Sequence, residues 1–234
     1  MPIWTYACIV VCCDYSTQMQ KNLLYCIYMI ISFHGGQTLR FQTGDIVLGC
    51  NPSLPPHGSK VSKFGANIVL CSSFASEHHN TELCERGEDT PFVIDGPGSY
   101  EYMAMTFQGE PMGKSSKDMD ALSTMYRFTM DDIDVVVCGA VIPKSELNPD
   151  GSVIFSEPDI LVIPIDAEHT RDIDEFINFT NPKMIIPVNR WSNNDAATML
   201  FLKSHAFHGN AEPKLTLKKR DIDAMSKNPI LLSL

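Results

Sequence analysis

Three short runs constrain the fold more than anything else in the chain: Asn67-Ile68-Val69-Leu70-Cys71, Ile160 to Ile165, and Lys183 to Val188. Successive side chains of a strand point to opposite faces of its sheet. An unbroken apolar run must therefore be covered on both sides, which an amphipathic surface strand never requires. The first run predicts a strand buried on both faces, the second a buried strand, and the third, after Lys183, another strand in the second half of the chain.

Around these runs the pattern is strand-rich early and mixed later. Thr38 to Gln42 alternates, Thr43-Gly44-Asp45 is a hairpin signal, and Ile46 to Leu48 follows as a strand. Pro91 to Ile94 reads as a strand and Ser99 to Gln108 as one long strand. Gly109 to Asp120 reads as a loop. Ser123–Thr129 and Ile133–Cys138 form a predicted hairpin across Met130-Asp131-Asp132. Thr170 to Phe179 has helical spacing, with Ile173, Phe176 and Ile177 on one face. A second helix is expected over Asn194–His205, with Met199, Leu200 and Leu202 available for the core. Leu215–Leu217 and Ile230–Leu234 read as short terminal strands, and the basic group Lys214, Lys218, Lys219 and Arg220 as a solvated turn. This is an α/β pattern. It fits two sheets between helix layers or one open sheet.

Length and composition bound the function. At 234 residues the chain suits one domain that buries enough apolar surface to fold without disulfides or metal. Its net charge of -10 repels phosphate backbones, so nucleic acid is not an expected partner. The eight cysteines contain no CxxC pair, and Cys71 and Cys138 sit in apolar runs. No disulfide framework is indicated, and a reducing cytoplasm is the expected location. The apolar runs Ile3–Cys13 and Leu23–Phe33 each fall short of the roughly 20 residues a membrane helix needs. Residues 1–28 are expected to be an N-terminal extension, and residues 29–234 a single domain.

Five ordered segments carry a family resemblance: Ile30-Ile31-Ser32-Phe33-His34-Gly35-Gly36, Ile46 to Pro52, Ile68 to Asn80, Phe92 to Glu101, and Ile185-Ile186-Pro187-Val188-Asn189. The most specific is Asp95-Gly96-Pro97-Gly98-Ser99-Tyr100-Glu101. Together they resemble the metallo-β-lactamase superfamily, in particular its ascorbate-6-phosphate-lactonase-like branch. The resemblance implies an αββα sandwich of two mixed sheets flanked by helices. It also implies a His-x-His-x-Asp-His cluster holding zinc, which acidifies a bound water for hydrolysis.

The chain departs from that pattern where the metal should sit. The cluster aligns with Ser73-Phe74-Ala75-Ser76-Glu77-His78, so only His78 keeps a family ligand type. The bridging Asp aligns with Ala140, the last His with Asn189, and an early Asp with Asn51. Alanine offers no donor atom, and Ser and Asn are poor zinc ligands beside His and Cys. The losses also remove carboxylates that would repel one another without metal. The expectation is a metal-free member of the fold, with no cofactor, that binds a small molecule or a protein. The alternative is a metal-dependent hydrolase with a remodelled site built from Glu77, His78 and His34. Glu77 and His78 are the candidate catalytic residues. Ser73, Ala75, Glu77, His78, Ala140 and Asn189 are the expected pocket, with His34 and Asn51 beside it. Lactonase-like relatives often assemble, so a homo-oligomer is a third expectation.

Overall fold

The computed structural model describes residues 28–56, 61–112, 123–141, 155–192, 195–207, 210–224, 228–230 and 232. The expected extension therefore lies outside the described residues, except Tyr28. The first described strand begins at Met29.

Among the described residues the strands form two mixed sheets. The first contains β1 (Met29–Gly35), β2 (Thr38–Thr43), β3 (Ile46–Cys50), β4 (Ile68–Leu70), β5 (Phe92–Ile94) and β12 (Lys214–Leu217). Its order is β12-β1-β2-β3-β4-β5. The second contains β6 (Gly98–Tyr102), β7 (Met105–Met112), β8 (Ser123–Met130), β9 (Ile133–Cys138), β10 (Ile160–Pro164), β11 (Met184–Val188) and β13 (Asn228–Pro229). Its order is β13-β11-β10-β9-β8-β7-β6. The described α-helices are α1 (Thr170–Thr180), α2 (Ala196–Ser204) and α3 (Lys219–Asp223). This is the sandwich the resemblance implies.

The unbroken apolar runs behave as expected. β4, β10 and β11 are buried at every position. β10 runs parallel to β9 and β11, and β4 runs parallel to β3 and β5. One face of each sheet enters the shared core: Phe33, Phe41, Leu70, Phe107, Phe128 and Val162 meet there. The opposite face of β9, β10 and β11 packs under α1, whose Ile173, Phe176 and Ile177 are buried with Leu161, Ile163 and Ile185. Because helices cover parallel strands on the outside, those strands need no polar face.

Five readings of the sequence change. Ser99–Gln108 is not one strand. Met103 and Ala104 both take positive φ, 51° and 59°, and fold β6 back on β7. Neither is Gly or Asn, so the alternating pattern hides the turn. β7 also continues to Met112, into the stretch expected to be a loop. In α2 the core residues are Thr198 and Phe201, with partly buried Leu202 packed against the same cluster, while Met199 and Leu200 are 55% and 43% exposed. An apolar count along this helix finds Leu202 but takes two outer residues for inner ones. Lys218–Arg220 is not a plain turn, since Lys219 opens α3 and pairs with buried Asp159. At the C-terminus, β13 lies at Asn228–Pro229, and Leu232 contributes an isolated bridge to Glu212. No described helix is long and apolar enough to cross a membrane.

Candidate functional site

The parallel strands deliver their carboxyl ends to one edge of the sandwich. Asn51 follows β3, Ser72 and Ser73 follow β4, Gly139 and Ala140 follow β9, Asp166 follows β10, and Asn189 follows β11. Irregular backbone beyond strand ends can converge side chains that regular strands hold apart, and ligands of α/β sheets collect there.

The two sheets are tied together at this edge. Gly36 N–H donates to the Arg190 carbonyl at 2.7 Å, and Asn189 N–H donates to the Gly36 carbonyl at 2.7 Å. Gly35 and Gly36 both take positive φ, and the Trp191 indole fills the space a Cβ would need. Only glycine meets both demands. Arg190 is 2% exposed, with its guanidinium 4.2 Å above the Phe33 ring and Nη2 donating to the Leu232 carbonyl. Burial lowers its pKa to about 10, so it remains a cation at neutral pH.

Asn51 occupies the position expected beside the pocket, but it is closed in on itself. It is buried, with φ of 45°, a conformation Asn tolerates better than most residues. Its Oδ1 accepts from Ser72 N–H at 2.7 Å, and its Nδ2 donates to Ser72 Oγ at 2.7 Å and to Gln37 Oε1 at 3.3 Å. Its carbonyl accepts from Thr38 Oγ1 and Ser53 Oγ. This clasp joins β3 to β4 and leaves the amide no open side.

His78 belongs to the same network. It is buried in a short 3-10 turn, Ser76–His78, with Nδ1 2.9 Å from Ser53 Oγ. Burial pulls its pKa below the ordinary imidazole value, and nearby Glu77 offsets this only in part. Glu77 itself points outward, with 70% of its side chain exposed and Oε1 3.7 Å from His78 Nε2. The next residue, His79, holds the Ser73 carbonyl through Nε2 at 2.6 Å. These contacts brace the loop after β4.

His34 stands elsewhere. In β1, Met29, Ile31 and Phe33 face the shared core, and His34 falls on the alternate face. Its ring lies 4.4 Å from that of Phe64. It is therefore a packed residue of the outer face and not a wall of the pocket. Burial first, and Arg40 second, lower its pKa to about 4. A histidine with a depressed folded pKa binds fewer protons than the unfolded chain between its two values. Its contribution is thus fully present above about pH 6.5 and lost as pH falls towards 4. Nuclear magnetic resonance should show His34 neutral down to about pH 4, and His34→Phe should flatten the fall in stability over that interval.

A cavity of about 230 Å³ does open at the strand ends. Gly139, Ala140 and Val141 form one wall and Gln37 and Asn189 another, while Pro164, Asp166 and His169 close it. Of the expected pocket, Ala140 and Asn189 line this cavity, and Ser73, Ala75, Glu77 and His78 do not. Asn189 has φ of 73°, and its Nδ2 points to the Ile165 carbonyl at 3.4 Å. Gln37, Asp166 and His169 are additions that the sequence reading misses. A signal for Asp166 exists, because it lies directly beyond an unbroken apolar strand. His169 gives none, since the contact depends on how the β10–α1 loop turns.

Asp166 and His169 are joined. Asp166 Oδ2 lies 3.0 Å from His169 Nδ1, and Oδ1 accepts from Glu168 N–H at 2.7 Å. The Glu168 N–H, and then His169, hold the Asp166 carboxyl below its ordinary range. The four described cysteines, Cys50, Cys71, Cys84 and Cys138, are buried and unpaired by disulfides. Burial pushes the Cys71 and Cys84 thiols up to about 12, which makes them inert at neutral pH.

No curated protein matches the chain in sequence. Among solved structures, a metallo-β-lactamase superfamily protein from Thermotoga maritima superposes with a TM-score of 0.66 at 20% identity, over 87% of this chain and 98% of its own. A metallo hydrolase from Ignicoccus hospitalis gives 0.57 at 14% identity, over 82% and 99%. Residues 30–189 match the Beta-lactamase superfamily domain, and the chain belongs to that family.

Proposed function

We propose that this chain is a metal-free member of its family, in which the cavity at the strand ends binds a small molecule without metal-assisted hydrolysis. The observation that carries this reading is the cavity wall itself. Ala140 and Asn189, at the positions aligned with a bridging Asp and a terminal His, offer it a methyl group and an amide. The remaining donors fit a dinuclear zinc centre no better. Ala75 has no ligand atom, His78 Nδ1 is engaged by Ser53, and the Asn51 amide is taken up by Ser72 and Gln37. Among the described residues, no three His, Cys, Asp or Glu side chains converge. Three protein ligands are the usual minimum for catalytic zinc.

The lost carboxylates support the same reading. Two or more unpaired carboxylates at one edge would repel each other and cost desolvation energy. With Asn51 and Ala140 in their places, the loops close on hydrogen bonds instead. Metal analysis of the purified full chain tests the proposal. Far less than one equivalent of zinc, manganese or iron is expected, and a stoichiometric amount of any of them would overturn it.

A further inference from the structure

We propose that His169, oriented by Asp166, is the recognition group of the cavity, and that it accepts a hydrogen bond through Nε2 from a hydroxyl or amino group of a neutral or cationic small molecule. This rests on the reading of the cavity as a metal-free binding site, and it names the chemistry of the ligand.

The argument begins with the carboxylate. Asp166 accepts from Glu168 N–H through one oxygen and faces His169 Nδ1 with the other. An ionised carboxylate can only accept, so Nδ1 must carry the proton. In the neutral imidazole the lone pair then falls on Nε2, whose tautomer is set by its partner on the other nitrogen. His169 lines the cavity, and its Nε2 has no hydrogen-bond partner among the described residues. The ring is further placed by its backbone. His169 is the residue before α1, and its carbonyl accepts from Ile173 N–H at 3.0 Å, which fixes the start of that helix.

Charge decides the ligand class. Asp166 is the carboxylate among the described wall residues, and Glu168 stands two residues on in the loop. The Glu168 N–H, which could have met an anion, is already used by Asp166. An anionic ligand would meet repulsion, with no Lys or Arg among the described wall residues to offset it. A neutral alcohol or polyol, or a protonated amine, would meet an acceptor nitrogen and a carboxylate. The amides of Gln37 and Asn189 on the facing wall suit further hydroxyls. A cavity of about 230 Å³ limits the ligand to a small molecule or to one end of a larger one.

The test uses the full chain labelled with ¹⁵N-histidine, observed at mildly alkaline pH where an imidazole is neutral. Ethanolamine and glycerol are the donor probes, and acetate and inorganic phosphate the anionic ones. The His169 spectrum should show Nδ1 protonated and Nε2 not. The donor probes should shift Nε2 saturably, and the anions should not. Asp166→Asn should scramble the tautomer and weaken the donor-probe response at least tenfold, with the fold unchanged by circular dichroism. His169→Gln should abolish it. An Nε2-protonated ring, a response to anions alone, no response to either donor, or a response that survives His169→Gln would each overturn the inference. Metal analysis of the same sample keeps the two proposals apart. Stoichiometric metal sinks the metal-free reading, whereas a metal-free protein with an unresponsive His169 sinks only the recognition role.

Discussion

Gly139→Ala should destabilise the protein by about 3 kcal/mol, the upper part of the range for an overpacked core. A Cβ at this position would lie 1.8 Å from the Ser72 carbonyl oxygen and 2.4 Å from its carbon. The obstacle is backbone, so no rotamer change can relieve it. Nor is Ser72 free to retreat. Its carbonyl accepts from Thr124 N–H at 2.7 Å, and its own N–H is held by Asn51. Accommodation would have to separate the β4 loop from β8 and β9, which is the seam between the two sheets. Urea titration measures the loss. Gly87→Ala is the control, because Gly87 has φ of 63° and open space, with nothing within 4 Å of where a Cβ would stand. It should cost only the left-handed strain of about 1 kcal/mol. Equal losses for the two variants would contradict the close approach at Gly139.

Asp159→Ala should have a comparable effect by a different route. The Asp159 side chain is 4% exposed and lies between Lys183 and Lys219. It accepts from Lys183 Nζ at 2.9 Å, from Lys219 Nζ at 2.6 and 2.5 Å, and from Asp134 N–H at 2.9 Å. Removing it leaves the two lysines sharing only the exposed Asp223 carboxylate, and the Asp134 N–H without its acceptor. Breaking a buried pair costs about 3–5 kcal/mol. Both lysines here are more than a third exposed, so solvent screens them and the low end, about 3 kcal/mol, is expected. Burial pushes the Asp159 carboxyl up, but the Asp134 N–H and the hydrogen bonds from Lys219 and Lys183 outweigh it, and the net shift is downward. A carboxyl with a depressed folded pKa stabilises above its unfolded value of about 4. That contribution is lost as pH falls through the folded value. The gap between wild type and Asp159→Ala in urea should therefore be widest near neutrality and narrow in acid. A constant gap would show that the charge is not its source.

The sandwich is legible in the sequence because its strongest signals are local. Strands β4, β10 and β11 announce themselves by lacking a polar face, and Ile173, Phe176 and Ile177 mark the buried side of α1. The turn at Met103-Ala104 is hidden because neither residue is a usual turn former, and their φ values are imposed by the pairing of β6 with β7. Ala140 and Asn189 stand on the cavity wall, and each closely follows a strand whose register is fixed by burial. The resemblance puts His34 beside the pocket, whereas β1 continues through Gly35 and alternation sends the ring outward. Asp166 is signalled only by its place beyond β10, and its meeting with His169 depends on the short loop between β10 and α1, whose closure nothing in composition or periodicity reports.

The positions that carry chemistry here stand beyond the strand ends, while the shared core is filled by side chains within the strands. The two sets hardly overlap. Substitutions at Ala140, Asp166 or His169 alter what the cavity presents without removing a core contact, so the scaffold can change ligand class at little cost in stability. Gly139 is the exception, since it has no room to vary. The molecule thus separates what may drift from what must stay fixed, one residue apart on the same loop.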